Sequence, residues 1–196
     1  MTLRELRDHL HDPDSGYVSV CDSWNELPLE HLGLTRRAEG PWFVRPAGSF
    51  DDAEPSADGL TIEIVTTPPV LAEFEATVVT GFGARHPIAP FDIHAPGVLA
   101  DPAMRLLLGR ASDARSGVAE GEPVAVSMAF VGAGLLGVYG VATVPSARRR
   151  GFAAAMTVAA CSFAPELAAM LQPSAQALTI YRRLGFTDAG WFSHWT

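Results

Sequence analysis

The sequence predicts an α/β fold, layered on a mixed sheet, and three observations carry that prediction. Strand-like segments form a meander after Gly59, strands and helices then alternate, and Pro123 to Ala147 carries no charged residue. The charge-free run is long enough in principle to cross a bilayer. Gly132-Ala133-Gly134 interrupts it, however, prolines flank it, and Val residues with Phe130 and Tyr139 enrich its halves. It reads as two buried strands joined by a tight turn rather than as one membrane helix.

The elements follow in order. Thr2 and Glu5 have the spacing of a capping box, and Leu3, Leu6 and Leu10 fall on one helical face, which predicts a short helix to about His11. Asp12-Pro13-Asp14-Ser15-Gly16 ends it. Tyr17 to Pro46 is weakly patterned, with one short strand at Trp42 to Arg45, and the acidic Pro46 to Gly59 segment reads as a link. The chain is therefore divided at Gly59 into an N-terminal extension, 1–59, and a main domain, 60–196. Trp24, Leu27, Leu29, Leu32, Leu34, Trp42 and Phe43 make the extension too apolar for a free tail. It is expected to pack on the main domain or on a second subunit, which makes a homodimer plausible.

Leu60 to Val65 alternates as a strand, and Thr66-Thr67-Pro68-Pro69 starts a helix over about Val70 to Val79. Gly81 to Gly97 is a long loop, and Pro102 opens a short helix or leads directly into a strand at Met104 to Arg110. Pro123 to Val131 and Leu135 to Thr143 are the paired strands. An Ala-rich helix spans Gly151 to Cys161, a strand Glu166 to Leu171, a helix Ala175 to Leu184, and one or two closing strands Phe186 to Trp195.

Composition bounds the function. A chain of 196 residues that is 48% apolar can bury a full core as one domain or one domain with an appendage. Its formal net charge of −8 disfavours nucleic-acid and anionic-membrane partners. All 14 basic residues are arginine, which excludes a Walker-type phosphate loop and a pyridoxal Schiff base. Cys21 and Cys161 lie far apart without metal-like spacing and are expected to be small buried hydrophobes in a reducing compartment. Met1-Thr2-Leu3-Arg4-Glu5 lacks an apolar signal core, and a cytoplasmic location is expected.

The segment that carries chemistry runs from Val141 to Ala153. A strand enters a turn, and the turn opens a helix whose first residues are Gly and Ala, so unpaired N–H groups are little obstructed. That arrangement is an anion cradle. Arg148, Arg149 and Arg150 reverse the sign of an otherwise acidic chain beside it, which suits a pyrophosphate. On charge alone the same arginines read equally as a solvated turn before a buried helix.

Arg148-Arg149-Arg150-Gly151-Phe152-Ala153 resembles the signature of the GCN5-related N-acetyltransferase (GNAT) family: Arg or Gln, two residues, Gly, one residue, then Gly or Ala. Ser174 to Phe186 is similar to the family's closing helix, with a polar residue, an Ala three on, and Tyr181 before Leu184-Gly185-Phe186. The resemblance covers about Leu60 to Thr196 and implies a mixed central sheet of about six to seven strands with helices on both faces. It implies acetyl-CoA as co-substrate. The main chain of Val141, Ala142 and Thr143 would meet the pantetheine arm, and the backbone of Arg149, Arg150, Gly151, Phe152, Ala153 and Ala154 the pyrophosphate. Tyr181 would sit beside the thioester sulfur. Ser174 stands where the family usually has Asn, and Ala153 where Gly is commoner.

The implied reaction transfers an acetyl group to a primary amine of a small molecule or peptide, within a ternary complex. It needs proximity, donors at the carbonyl oxygen, and proton handling. A gap between two diverging strands supplies the first in the family, and backbone N–H groups near Val141 or Ala142 could supply the second. Tyr181, with an ordinary pKa of roughly 10, could protonate a thiolate whose conjugate acid is near 8.5. It could equally be a core tyrosine on the Leu178, Tyr181 and Leu184 face. No Asp or Glu lies on Pro123 to Thr143, so a water relay or a neutral amine is favoured over a direct carboxylate base. Asp92 and His94 are weaker candidates. His86, Asp92 and His94 read as a polar loop in preference to a metal site, Glu73 and Glu75 as a solvated helix face, and His194 as a strand residue. The alternative from another class is a catalytically inactive acyl-CoA-binding or regulatory module.

Overall fold

A computed structural model describes residues 3–10, 18–50, 57–83, 88–114 and 117–196. Eight strands form one sheet: β1 (Val20–Asp22), β2 (Arg36–Arg45), β3 (Leu60–Ile64), β4 (Met104–Ala111), β5 (Pro123–Gly132), β6 (Leu135–Thr143), β7 (Ala169–Leu171) and β8 (Thr187–Trp195). Their spatial order is β1-β8-β2-β7-β6-β5-β4-β3. Among the described residues only β6 and β7 pair in parallel, which makes the sheet mixed. The helices are α1 (Leu3–Leu10), α2 (Pro68–Gly81), α3 (Phe152–Cys161) and α4 (Leu178–Arg183).

Strand alternation divides the core between the two faces of the sheet. Leu106 and Leu108 of β4 pack with Leu71 and Phe74 of α2. Leu107 and Ala111, on the opposite face, join Met156 of α3 and Leu184 after α4. The charge-free run forms β5 and β6 at the sheet centre, where Val124, Ala125, Val126, Ala129 and Leu136 are fully buried. Among the described residues no helix is long and apolar enough to cross a membrane.

The segment before Gly59 enters the sheet itself. Phe43, Val44 and Arg45 pair with β7, and Arg36 to Val44 pair with β8, so β2 lies between two strands from the far end of the chain. Phe43 is fully buried there. Leu6, Leu29 and Leu34 form a separate cluster with Trp195, while Trp24 is exposed. β1 and β2 together raise the strand count to eight, above the six to seven expected.

Other elements differ from expectation for local reasons. α4 begins at Leu178 rather than Ala175, because Ala177 N–H donates to Ser174 O in a turn, and Ser174 makes no side-chain cap. β7 begins at Ala169 rather than Glu166, after a turn closed by Leu167 N–H to Ala164 O. Cys161 is buried as expected, but Cys21 is exposed on β1.

The solvated-face reading of Glu75 is also corrected. Its side chain is fully buried and accepts N–H bonds from Phe91 (2.6 Å), Ile93 (3.2 Å) and His94 (2.6 Å). Those donors offset its desolvation and tie the loop onto α2. Glu73 is half-exposed and paired with Arg110.

Candidate active site

The site begins with an irregularity in β6. Val126 pairs with Ala142 but Met128 with Tyr139, so β6 carries one extra residue opposite Ser127. Gly140 takes φ +57° within that bulge, and a Cβ there would lie 2.7 Å from Met128 Cε. On the other side, β6 pairs with β7 only at Leu136 with Ala169 and Gly137 with Met170. From Val138 onward the β7-facing edge of β6 has no strand partner among the described residues, and the two strands part there.

The end of β6 leads to the cradle. A 3-10 turn, Pro145–Ala147, carries the chain to Arg149 at φ +64° and Gly151 at φ +84°, and Gly151 caps α3 without a side chain. Ala154 and Ala155 donate their N–H groups to Gly151 O. The N–H groups of Arg149 to Ala153 have no backbone acceptor among the described residues. They form an anion-binding concavity at a helix N-terminus.

Cradle, bulge and α4 enclose one cleft of about 1360 Å³. Val141, Ala142, Thr143, Arg149, Gly151, Phe152, Ala153, Ala154 and Ser174 line it, so the structure brings these expected residues together. Arg150 does not line it. Its guanidinium pairs with Asp113 Oδ1 at 2.6 Å and lies 4.6 Å over the Phe152 ring, which assigns that charge to anchoring the turn. Arg148 ties the turn to its surroundings through Thr143 O and Gly81 O.

The cleft also uses residues that sequence reasoning missed: Arg45, Phe50, Gly81 to Gly83, Gln176, Ile180 and Arg183. The three-residue spacing of Ile180 and Arg183 could have marked one α4 face, with Gln176 in the turn before it. Nothing local in the sequence places Arg45 there. No Asp or Glu lines the cleft among the described residues, whereas Arg45, Arg148, Arg149 and Arg183 do. The buried Thr143 Oγ1 has no partner in the described structure. An orphaned hydroxyl, a row of open N–H groups and four arginines on a largely apolar wall fit an elongated anionic ligand.

Tyr181 is not among the cleft-lining residues. It is 7% exposed and packs edge-on to Phe186 at 5.9 Å, while the Thr157 hydroxyl near it donates to Ala153 O. Burial pushes its phenol up to about 12, with Thr157 acting in the opposite direction. Burial likewise pushes the Cys161 thiol up to about 11.

These shifts set an alkaline limit. Below the ordinary values of 9.0 and 10.0, both groups are neutral whether the chain is folded or not. Above them the unfolded chain ionises first, so stability falls as pH rises towards about 11 and about 12. With no lysine and only three tyrosines and two cysteines, few other side chains titrate in that window. Urea unfolding should give a lower midpoint at pH 11 than at pH 8. The difference should shrink in Cys161→Ala/Tyr181→Phe, and an unchanged difference would contradict the assignment.

Asp92 and His94 sit on the loop held by Glu75, outside the cleft lining. Asp92 Oδ2 accepts the Ala89 N–H, and His94 Nδ1 lies 3.4 Å from Glu75 Oε1. His86 lies outside the described residues. Among those described, no three His, Cys, Asp or Glu residues form a metal-sized group. His194 is on β8 with its ring against Phe192.

No protein-family model matches the sequence, and no curated protein matches it. Solved structures do. A GCN5-related N-acetyltransferase from Kribbella flavida superposes with a TM-score of 0.61 at 25% identity, covering 85% of this chain. This chain spans 61% of that protein's length. A GCN5-related N-acetyltransferase from Sphaerobacter thermophilus gives 0.60 at 20% identity over 98% of this chain and 64% of that one. A functionally unknown conserved protein from Staphylococcus epidermidis gives 0.61 at 13%, over 90% and 70%. What these structures share with this chain is the fold.

Proposed function

We propose that this chain, which has the fold of the GCN5-related N-acetyltransferases, transfers an acetyl group from acetyl-CoA to a primary amine. The observation that carries the reading is the cleft itself, where a strand gap, a bulge and an open helix N-terminus meet under four arginines.

The residues divide the work. The N–H groups of Arg149, Gly151, Phe152 and Ala153 hold the pyrophosphate, supported by the Arg149 charge. The unpaired edge of β6 from Val141 to Thr143 receives the pantetheine amides, and Thr143 Oγ1 gains a partner. Bound acetyl-CoA supplies an activated acyl thioester. Backbone N–H groups at the bulge, near Val141 and Ala142, donate to the acyl oxygen as negative charge develops there. As the amine nitrogen bonds to the acyl carbon, the carbon–sulfur bond breaks, the amine sheds one proton and the sulfur gains one. Among the described residues no carboxylate lies on the cleft wall, and the amine arrives neutral or passes its proton to water.

Tyr181 has a narrower part than full acid catalysis. A phenol near 12 does not release its proton downhill to a thiolate whose conjugate acid is near 8.5. Its part is to turn its hydroxyl towards the cleft and donate a hydrogen bond to the departing sulfur, with water completing protonation. Tyr181→Phe should therefore cost about 10- to 100-fold in kcat, with cofactor affinity little changed and stability lowered by about 1 kcal/mol. Unchanged kcat in a well-folded variant would confine Tyr181 to packing.

The cleft wall, on which no carboxylate of the described residues lies, also favours a second reading, an acyl-CoA-binding module without turnover. A panel of amines with detection of released thiol separates the two. Amine-dependent release supports the transferase. Cofactor binding with no release from any amine supports the module.

A further inference from the structure

We infer that the acceptor is a primary amine carried on an aromatic group, and that its ring seats on Phe130, Tyr139 and Met170, on the face of the sheet opposite α3 and α4. The inference rests on the proposed transfer and adds which amines this chain selects.

Strand alternation separates the two faces. Val141 packs with the core beneath α3, whereas Ala142, on the other face, packs with Leu71 and Phe74 of α2. The bulge puts Tyr139 on the face of Ala142, because Ala142 pairs with Val126 and Tyr139 with Met128, and those partners are two residues apart on β5. Phe130, two residues further along β5, shares that face and pairs with Gly137. Met170 pairs with Gly137 from the β7 side, and its neighbours Ala169 and Leu171 are buried on the α3 face. Phe130, Tyr139 and Met170 therefore stand together beside the point where β6 and β7 part.

This patch differs from the rest of its face. Leu106, Leu108 and Val126 are buried beneath α2, but Tyr139 is 45% exposed and Phe130 36%, although both lie on central strands. Two glycines fix the rings. A Cβ on Gly137 would collide with the Tyr139 ring, and a Cβ on Gly132 would lie 2.7 Å from Phe130 Cε1. Each ring thus lies over a position without a side chain instead of standing free. Met128 carries the surface on to the bulge, where its Cε covers Gly140.

The reaction brings its two substrates to the gap from two sides. Phe152 and Ala153 of α3 and Ile180 and Arg183 of α4 line the cofactor cleft, so the arm of the thioester fills that side and the amine approaches from the other. The patch ends at the bulge, so a ring held on it needs only a short alkyl link for its nitrogen to reach the acyl carbon. Pro123 to Ala147 carries no charged residue, and β5 and β6 therefore offer the acceptor rings and thioethers rather than an ion pair. Those groups hold another aromatic ring by stacking, edge contact and sulfur–ring contact.

The test is steady-state thiol release from saturating acetyl-CoA with phenylethylamine, ethanolamine and putrescine. Phenylethylamine should give a kcat/KM at least about tenfold above either aliphatic amine. Tyr139→Ala, at a half-exposed side chain, should lower that value by about tenfold, chiefly through KM, and leave the aliphatic amines and the Kd for acetyl-CoA unchanged. Tyr139→Phe, which keeps the ring, should retain the parent value.

An aliphatic amine that matches phenylethylamine in the parent chain would overturn the inference while leaving the transferase standing, and that comparison needs no variant. Selectivity that survives Tyr139→Ala in a folded protein, or a loss of acetyl-CoA affinity in that variant, would also overturn it. Thiol release with none of the amines would overturn the transferase and the inference together.

Discussion

Deleting residues 1–46 should leave no folded, soluble protein. The deletion removes β2 from between β7 and β8, which exposes two strand edges in the middle of the sheet. It takes away Phe43, fully buried against the α3 face, where truncation of the side chain alone would cost about 3–5 kcal/mol. It also removes Leu6, Leu29 and Leu34 from around Trp195. Losses of that sum exceed the stability of an ordinary domain. Expression of 47–196 should give aggregated protein, read by the soluble fraction and by the absence of a cooperative melting transition. A soluble 47–196 protein with the parent's melting temperature would contradict the placement of β2. Phe43→Ala in the full chain gives a graded version, and its melting temperature should fall by several degrees.

The second large effect is expected at Gly151. The residue holds φ +84°, a region that a β-branched side chain scarcely enters. A Cβ would meet only Ala57 at 3.8 Å, so backbone conformation and not space demands glycine. Gly151→Val should turn the cradle N–H groups and weaken acetyl-CoA binding by about 100-fold, roughly 3 kcal/mol. Arg149→Ala should cost about 3- to 10-fold, and less at high salt, because its charge is exposed and screened. Circular dichroism checks that the valine variant folds. If Arg149→Ala abolishes binding while Gly151→Val leaves it intact, the pyrophosphate lies elsewhere.

What the sequence revealed divides along chain locality. The strand, turn and helix from Val141 to Cys161 are contiguous, so glycine, alanine and periodicity announce the cradle before any tertiary contact is known. The paired strands on either side of Gly132-Ala133-Gly134 are legible for the same reason. β2 is not, because its register is set by β7 and β8, more than a hundred residues further along the chain. A segment of that kind reads as weakly patterned, and Trp42 to Arg45 is only the part whose apolar residues betray it. Arg45 was missed as a cleft residue because its place follows from that distant pairing.

Glu75 shows the same limit in a side chain. A glutamate on a helix reads as solvated, yet this one is buried by three N–H groups from a loop that carries no sign of the contact. Arg150 looked equivalent to Arg149 in a run of three. Asp113, thirty-seven residues earlier, takes it out of the cleft. Tyr181, which the motif puts beside the thioester sulfur, lies buried against Phe186 and outside the cleft lining.

The most direct test of the whole account is isothermal titration of the full chain with acetyl-CoA. The cleft, its open N–H groups and its four arginines predict saturable binding at one site per chain, tighter at low salt than at high. No heat of binding at millimolar acetyl-CoA, from protein shown to be folded, would contradict it.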